Sequence, residues 1–458
     1  MQLFARLVAS HFHKMSIERD LLAIPNFADD SLVKASVRVL DQLFASYPRR
    51  NFQIRFWNGE RWGNAASPDF VLVLNRPGAL QKLCSLSEVE LGESYIFNDI
   101  DIEGNIISCF EVADFLISQN STRLTGIFSG ATPLAGSHWK RRPDSFSPRL
   151  SCAIHSRARD RQAISYHYDL PPEFYSLFLG PSMTYSCAYF RTQGDSLDQA
   201  QEQKLEYICR KLRLRPGEHV LDIGCGWGSL VTYAARKYGV SALGITLSKR
   251  QAHFAAGWIH EQRLADHCRV EFCDYRDLGT SQQFDKIASV GMFEHVGEDL
   301  LPEYFRRVAD LLRPAGVFLN HGIACSVSDR RKGRSFVDRH VFPDGDIVPI
   351  ATTLGAAEMS GLEIRDVESL REHYDATLRH WVHSLEQHAD QAQRITDDFT
   401  YRIWRLYMAG SAHAFRAGRL NIYQTLLAKA KDGKTKLPLT REDWYDPRGG
   451  WKDCSPPR

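Results

Sequence analysis

The chain lacks a long uninterrupted apolar segment, because charged residues or Pro and Gly interrupt every apolar stretch. A membrane-spanning helix needs about 20 mostly apolar residues in a row, so the sequence predicts no transmembrane segment. A marked net charge is also absent, since 57 Lys and Arg face 55 Asp and Glu. The resulting charge of +2 gives no overall field that would gather nucleic acid, and no nucleic-acid partner is expected.

Two further absences concern cysteine spacing and the first residues. The 10 cysteines include no CxxC pair and no regular spacing, so neither a disulfide framework nor a metal site is predicted. Residues 1–20 lack the continuous apolar segment and the small-residue cleavage site of a secretory leader. The sequence therefore predicts reduced cysteines and a cytoplasmic protein.

Composition changes along the chain predict four parts, and 458 residues are enough for more than one buried core. Helical periodicity and strand-like alternation predict a small N-terminal α+β domain. The predicted parts are this domain (1–118), a basic linker (119–165), a larger domain (166–430) and a tail (431–458). The Lys and Arg of the linker fit either a solvated connection or attraction to the anionic inner leaflet of a membrane.

Strands and helices alternate in the larger domain, and no internal repeat is evident. The predicted strands are Val220–Ile223, Ala242–Leu247, Val270–Phe272, Phe284–Val290 and Gly316–Asn320, and the helices between them are Ser229–Tyr238, Lys249–Arg263 and Glu303–Leu312. This alternation predicts an α/β fold with a parallel, doubly wound sheet.

A glycine-rich turn follows the first of these strands, where Gly224, Gly226 and Gly228 alternate with Cys and Trp. Glycines in such a turn allow positive φ and a close approach of a ligand to the backbone. The spacing differs from the dinucleotide fingerprint, and no Lys-Ser/Thr pair follows as in a phosphate loop. With Asp222 at the strand end, the turn resembles that of class I S-adenosylmethionine methyltransferases, although another α/β enzyme stays open as an alternative.

That resemblance implies positions for the rest of the cofactor. The glycines would let its amino acid end lie on the backbone, while Asp274 and Tyr275 would contact the adenine. The second strand lacks the acid that usually binds the ribose and ends in a segment that contains Thr246 and Gln251. Neutral hydrogen-bonding groups are therefore expected at the ribose.

Several segments in order resemble the cyclopropane-fatty-acyl-phospholipid synthase family. They are Tyr166–Leu170, Met183–Phe190, Val220–Gly228, Gly244–Gln251, Asp274–Asp277, Ser289–Gly297, His373–Leu378 and Ala414–Ala417. The resemblance implies a Rossmann-like class I methyltransferase catalytic domain with a smaller N-terminal auxiliary domain. It also implies a homodimer that contacts the inner leaflet transiently, with unsaturated phospholipid as the substrate.

The same resemblance implies two sets of site residues. Tyr185 and Ser186 would close over the methionine part of the cofactor. A bound bicarbonate, acting as the base, would be held by Cys187, Glu294, His321, the backbone of Ile323, and Tyr374. A carboxylate repels an anion unless one of them carries a proton, so Glu294 is expected to have a raised pKa or to share a proton. By residue type alone, Cys187, His321 and Tyr374 would be ordinary buried residues.

The implied reaction is transfer of a methylene group from S-adenosylmethionine to the cis double bond of an acyl chain. Three alternatives stay open: a methyltransferase that makes branched methyl fatty acids, one that methylates a small amine, and a lipid-binding protein without catalysis. Tyr168, Tyr304 and Phe305 would line a lipid tunnel or pack in the core. Ser411 stands where family members often have Cys. Either this chain has lost the function of that thiol or the thiol is not needed for catalysis, and the second interpretation is favoured because bicarbonate would supply the base.

Overall fold

The computed structural model describes residues 30–49, 51–83, 87–118, 148, 150–279, 281, 283–328, 330 and 335–445. The predictions for residues 1–20, for most of the linker and for the end of the tail lie outside the described residues. None of the described helices is long and apolar enough to cross a membrane.

The N-terminal domain combines helices with a four-stranded sheet of order β2-β1-β3-β4. Its elements are α1 (Asp30–Leu43), β1 (Phe52–Arg55), β2 (Arg61–Trp62), β3 (Phe70–Leu74), α2 (Ala79–Leu83), α3 (Glu88–Ile96), β4 (Ile100–Gly104) and α4 (Ile106–Ser118). Strand β3 is buried at every position, because it lies between β1 and β4 and is covered on both faces. The predicted α+β fold of this domain is confirmed.

The larger domain forms a seven-stranded sheet of order β10-β11-β9-β8-β5-β6-β7. Its first elements are α5 (Arg157–Tyr168), α6 (Pro172–Leu179), α7 (Leu197–Leu212), β5 (His219–Ile223), α8 (Ser229–Tyr238), β6 (Ser241–Thr246), α9 (Lys249–Glu261), β7 (Cys268–Phe272) and β8 (Phe284–Val290). The remaining elements are α10 (Leu301–Leu311), β9 (Leu312–Cys325), α11 (Phe336–His340), α12 (Ile350–Met359), β10 (Glu363–Ser369), α13 (Arg371–Gln387), α14 (Ala389–Ile395), α15 (Asp398–Arg416), β11 (Leu420–Ala428) and α16 (Glu442–Tyr445).

The direction of the strands confirms the predicted doubly wound fold and adds one reversed strand. Strands β7, β6, β5, β8 and β9 run parallel, whereas β11 runs antiparallel to both of its neighbours. The chain leaves β5 first for β6 on one side and later returns to β8 on the other. A crevice outside the carboxyl ends of β5 and β8 is where ligands bind in such sheets.

The boundary expected between residues 165 and 166 falls inside α5, and the reason is electrostatic. Arg159 forms an ion pair with Asp344 at 2.5 Å, and Arg157 pairs with Asp277. These basic side chains therefore hold α5 on the larger domain instead of belonging to a solvated linker. The start of the tail is also part of the domain, since Trp444 in α16 is buried and Arg213 pairs with Asp443 at 2.7 Å.

Helix α15 joins the two domains through arginines. Arg402 donates to the Tyr95 carbonyl at 3.0 Å and pairs with Asp101 at 3.0 Å. Arg405 donates to the Tyr95 hydroxyl at 2.7 Å and to the Ile102 carbonyl at 3.2 Å. Because guanidinium groups donate to backbone carbonyls of helix α3 and strand β4, this interface contains hydrogen bonds and ion pairs as well as apolar contacts.

Candidate active site

The glycine-rich turn between β5 and α8 has the backbone shape that its sequence predicts. Gly224, Gly226 and Gly228 have φ of +79°, +54° and +88°, a region that favours glycine. A Cβ on Gly224 would lie 2.7 Å from Met292, and one on Gly228 would lie 3.0 Å from Ala255. A Cβ on Gly226 would meet nothing closer than 4.0 Å, so the turn exposes its backbone to open space there.

That open space is a cavity at the carboxyl ends of β5, β6 and β8, hereafter the cofactor cavity. It brings together most of the predicted cofactor residues. Those that line it are Tyr185, Ser186, Asp222, Gly224, Gly226, Thr246, Gln251 and Tyr275. Gly228 lies behind the turn against Ala255, and Asp274 also lies outside the lining.

The end of β6 holds neutral polar groups in fixed positions, as expected for this strand. Thr246 Oγ1 donates to Gln251 Oε1 at 2.8 Å and accepts from the Ser248 backbone at 3.1 Å. Ser248 caps α9 by accepting from the Gln251 backbone at 3.2 Å, and its hydroxyl donates to Asp169 at 2.7 Å. Thr246 and Gln251 are therefore oriented before any ligand binds.

The two residues predicted at the adenine differ in their surroundings. Tyr275 lines the cofactor cavity. Both carboxylate oxygens of Asp274 accept from Arg276, at 2.9 Å and 2.6 Å, and Arg276 also pairs with Asp160 of α5 at 2.8 Å. Because Arg276 already engages its oxygens, a contact of Asp274 with adenine stays a prediction.

Asp222 supplies an unsatisfied acceptor at the floor of the cofactor cavity. It is 3% exposed, and its Oδ1 has no hydrogen-bond partner within the described part of the chain. Burial raises the pKa of this carboxyl to about 7, and the Lys204 ammonium partly opposes the shift. An orphaned acceptor beside a glycine cradle fits S-adenosylmethionine, whose amino group is a donor.

The second predicted set begins just beyond β8, and we name it the anion pocket: Cys187, Glu294, His321, Ile323 and Tyr374. Glu294 Oε1 accepts from the Ile323 backbone at 2.7 Å. A Cβ on Gly322 would lie 1.8 Å from the Phe293 ring, so only glycine lets β9 approach this closely. The structure thus brings Glu294 and Ile323 into direct contact and uses the Ile323 donor for Glu294.

Two polar atoms of the anion pocket have no partner among the described residues, Glu294 Oε2 and His321 Nε2. Burial raises the pKa of Glu294 to about 7, as expected, and lowers the pKa of His321 well below its ordinary value. His321 is therefore neutral, and Glu294 gains or loses its proton near neutral pH. Unpartnered buried groups of this kind fit a small hydrogen-bonding ligand.

Cys187 and Tyr374 come together at the Leu370 carbonyl. The Cys187 thiol lies 3.9 Å from that oxygen, and the Tyr374 backbone donates to it at 3.1 Å. Burial raises the pKa of the Tyr374 hydroxyl, and Cys187 and Glu294 add smaller contributions in the same direction. Burial also raises the pKa of Cys187, so its thiol keeps its proton. The role of these five residues as anion ligands stays a prediction.

The cofactor cavity and the anion pocket share two chain segments. Ser186 lines the cavity, and the next residue, Cys187, belongs to the pocket. Met292 and His295 line the cavity on either side of Glu294. In each segment, some residues therefore line the cofactor cavity and an adjacent residue belongs to the anion pocket.

Aromatic residues that the sequence did not single out surround this junction. Tyr185 packs against Trp404 and Trp381, with ring centroids 5.8 Å and 5.2 Å away, and its hydroxyl lies 3.5 Å from that of Tyr407. Tyr168 lines the cofactor cavity. The other two tunnel candidates, Tyr304 and Phe305, are fully buried and pack beside Phe318 in the core.

Asp160, Lys204 and Arg276 are the charged lining residues that sequence reasoning did not place in the site. The available signal for Lys204 was a lysine on the same helix face as Leu205 and Ile208, both of which line the cavity. Ser411, the departure from the family pattern, is half-buried in α15, and its role stays untested.

Two known protein families match this chain, one in the larger domain and one in the N-terminal domain. The sequence profile of the mycolic acid cyclopropane synthetase family matches residues 155–425, and that of a domain of unknown function matches residues 39–120. The chain is 38% identical to a probable fatty acid methyltransferase of Pseudomonas putida over 86% of this chain and 96% of the relative. It is 37% identical to the cyclopropane-fatty-acyl-phospholipid synthase of Escherichia coli (strain K12), over 59% of this chain and 69% of the relative.

A solved structure of a relative supports S-adenosylmethionine as the cofactor. Mycolic acid cyclopropane synthase CmaA1, crystallised with S-adenosylhomocysteine (SAH) and CTAB, is 32% identical and superposes with a TM-score of 0.55. The match covers 58% of this chain and 97% of that chain.

Proposed function

Because this chain belongs to the mycolic acid cyclopropane synthetase family, we propose that it transfers a methylene group to the cis double bond of an unsaturated acyl chain in a membrane phospholipid. The chain is an S-adenosylmethionine-dependent methyltransferase of that family. The product would be a cyclopropane fatty acyl chain. The observation that carries the proposal is the cofactor cavity together with the nearby buried atoms Glu294 Oε2 and His321 Nε2, which have no hydrogen-bond partner among the described residues.

The bond balance of this reaction explains why two compartments are needed. Two carbon–carbon σ bonds form, while the π bond of the alkene, the carbon–sulfur bond of the cofactor and one C–H bond of the transferred methyl group break. The C–H hydrogen leaves as a proton, so no oxidant or reductant is required. S-adenosylmethionine supplies an electrophilic methyl group when it is bound. An isolated alkene is a weak nucleophile, so much of the barrier must be removed by alignment in a site that excludes water.

The residues of the cofactor cavity supply that alignment. The glycine turn would hold the amino acid end of the cofactor, and Thr246 and Gln251 would meet the ribose region. Asp222 would accept from the amino group, which would lower its raised pKa by giving its carboxylate a partner.

The residues of the anion pocket fit a bound bicarbonate, which would supply a base for the released proton. Cys187, Glu294, His321 and Tyr374 would hold it, together with the Ile323 backbone, whose N–H would be shared between the bicarbonate and Glu294. Glu294 is able to carry a proton near pH 7 because burial raises its pKa to about 7. A protonated Glu294 donates to an anion instead of repelling it, and the neutral His321 offers a further partner.

The aromatic residues at the junction exclude water and face developing positive charge. Tyr185, Trp404 and Tyr407 pack together beside the cofactor cavity. An aromatic face stabilises a nearby cation by about 0.5–2 kcal/mol. This environment suits the cationic character that an alkene acquires when it is alkylated.

The remaining expectations concern the setting of the reaction. We propose that the protein acts as a homodimer and contacts the inner leaflet transiently, because its substrate is a membrane phospholipid. The Lys and Arg of residues 119–156 would contribute to that contact, since α5 commits Arg157 and Arg159 to ion pairs.

A second candidate function is formation of a methyl-branched acyl chain without ring closure. The name of the Pseudomonas putida relative, which matches nearly the whole chain, favours it. Both candidates need the same cofactor and the same acyl substrate, and they differ in the fate of the transferred methyl hydrogens.

Analysis of the product separates these functions. Purified protein is incubated with vesicles of unsaturated phospholipid and S-adenosylmethionine carrying a trideuterated methyl group, and the acyl chains are released as methyl esters for mass spectrometry. A cyclopropane keeps two deuterons because one leaves during ring closure. A methyl-branched alkene, which forms when the released proton leaves a neighbouring carbon of the acyl chain, keeps all three. Absence of deuterium from the lipid fraction would reject both candidates and favour an amine methyltransferase or a lipid-binding protein.

A further inference from the structure

Lys204 of α7 is a buried cation whose positive charge the described residues leave without a close counterion. It is 2% exposed, and its Nζ donates to Ser186 Oγ at 2.9 Å. Within the described part of the chain, no carboxylate oxygen lies within 4.0 Å of this nitrogen. A desolvated ammonium is costly unless it meets an anion, so its position calls for an anionic ligand group.

A second lysine on the same helix shows what a satisfied buried cation looks like in this protein. Lys211, seven residues after Lys204, is fully buried. Its ammonium pairs with Glu368 and lies 3.7 Å from Asp366. Of these two buried lysines, Lys211 therefore has acidic partners and Lys204 has none among the described residues.

The place of Lys204 identifies the kind of ligand group. Lys204, Ser186 and Asp222 all line the cofactor cavity. Asp222 presents an unpartnered acceptor, while Lys204 and Ser186 present donors. An acceptor beside donors complements an amino acid group, which carries an ammonium and a carboxylate.

The other cations of the cavity are already engaged or neutral. Arg276 is bound by Asp274 and Asp160. Burial lowers the pKa of His295 to about 4, so its ring is uncharged at neutral pH. Lys204 keeps most of its charge there, since burial lowers its pKa only to about 8. Among the described lining residues, Lys204 is therefore the cation that can pair with a ligand carboxylate.

We propose that Lys204 binds the carboxylate of the methionine part of the cofactor, together with the hydroxyl of Ser186 that it orients. Lys204 donates to Ser186 Oγ, which leaves the hydroxyl proton of Ser186 free to donate to the ligand. The ammonium retains two further donors for the same carboxylate. This inference rests on the cofactor use in the proposed function and adds a charged anchor to it.

The test measures cofactor binding by calorimetry with the full chain and two ligands. One ligand is SAH, and the other is its decarboxylated analogue, which keeps the amino group. Lys204→Met is expected to weaken SAH binding by about tenfold or more, because a buried charge-assisted contact is lost. The same variant should bind the analogue as well as the wild type or better, since a buried cation disfavours a ligand without an anion.

Lys211→Met is the matched control, because it removes a buried lysine from the same helix outside the cavity. It should bind both ligands with wild-type affinity, although it removes the ion-pair partner of Glu368, whereas Asp366 keeps its ion pair with Arg441. If Lys204→Met does not fold, as judged by circular dichroism, Lys204→Gln is used instead. This variant also removes the charge but keeps a hydrogen-bond donor for Ser186. Ser186→Ala is expected to weaken SAH binding less in the Lys204→Met background than in the wild type.

Two results would overturn the proposal. Equal weakening of both ligands by Lys204→Met would show a structural role, and unchanged SAH affinity would show no role at all. These outcomes are independent of the reaction product. A wild-type protein that binds SAH but forms no cyclopropane would reject the proposed function and leave the Lys204 proposal standing.

Discussion

The cofactor cavity and the anion pocket are neighbours near the carboxyl ends of the parallel strands. They differ in whether their polar side chains have hydrogen-bond partners. In the cavity, Thr246 and Gln251 bond to each other, and the glycine turn offers backbone to open space. In the anion pocket, Glu294 Oε2 and His321 Nε2 stay buried without partners among the described residues.

The difference indicates two kinds of ligand. A large cofactor is recognised by shape and by preoriented neutral groups, with charge concentrated at Asp222 and Lys204. A small ligand that completes several hydrogen bonds suits a pocket whose own groups are unsatisfied. Damage to one compartment should therefore leave the other compartment working.

The largest effect is expected from Glu294→Gln. Loss of the titrating group should lower turnover by about 100-fold or more, the usual scale for a group that manages a proton. SAH affinity should stay within about twofold, because Glu294 does not line the cofactor cavity. Turnover is measured by transfer of labelled methyl to phospholipid, and affinity by calorimetry.

Glu303→Gln is the matched control for this variant, since Glu303 is an exposed glutamate at the start of α10. It should retain wild-type turnover. Full activity of Glu294→Gln would instead favour a reaction without the anion pocket, such as methylation of a small amine.

Gly224→Ala is expected to have a smaller effect than Glu294→Gln, and this effect concerns SAH affinity. Its φ of +79° and the 2.7 Å contact of the new Cβ with Met292 would distort the turn. SAH affinity should fall by about tenfold or more, corresponding to at least about 1.4 kcal/mol of binding free energy. Isothermal calorimetry gives the affinity directly.

Gly217→Ala is the control for backbone strain. Gly217 has φ of +81°, as unfavourable for alanine as that of Gly224, but no atom lies within 4 Å of its added Cβ. This variant should cost about 1–2 kcal/mol of stability without changing SAH affinity. If both alanine variants weakened SAH equally, the turn would act through overall stability and not through contact with the cofactor.

A pH dependence of folding stability is also expected. The folded pKa of Glu294 is about 7, above its ordinary value of 4.5, so the folded chain keeps a proton that the unfolded chain releases. Stability should therefore fall as pH rises from about 4.5 to about 7, by up to about 3 kcal/mol for this one group.

Urea denaturation at pH 5 and pH 7.5 checks this dependence. Glu294→Gln should lose less stability than the wild type over that interval, because it has no proton to release. An identical loss in both proteins would show that Glu294 ionises as an ordinary exposed acid.

The cavity could be predicted from the sequence because its signals are local. Glycine spacing at 224–228 follows from the backbone of a single turn, and the predicted strands of the parallel sheet match the observed ones closely. The strand β9 was predicted too short, and β10 and β11 were missed. Their pairing depends on partners distant in the chain.

The charged residues show why the rest could not be predicted. Lys204 and Lys211 are equivalent in sequence pattern, and only tertiary packing gives one of them two acids and the other none. Arg159 looked like part of a solvated basic run, but its partner Asp344 lies 185 residues away. Unpartnered buried atoms such as Glu294 Oε2 likewise have no local signature.

The dependence of turnover on bicarbonate tests the central claim most directly. Methylene transfer to phospholipid vesicles is measured in buffer freed of carbon dioxide, with and without added bicarbonate, and SAH affinity is measured under the same conditions. The account predicts that turnover falls on depletion and recovers on addition while SAH affinity stays constant. Turnover that is indifferent to bicarbonate would contradict a separate anion pocket beside the cofactor.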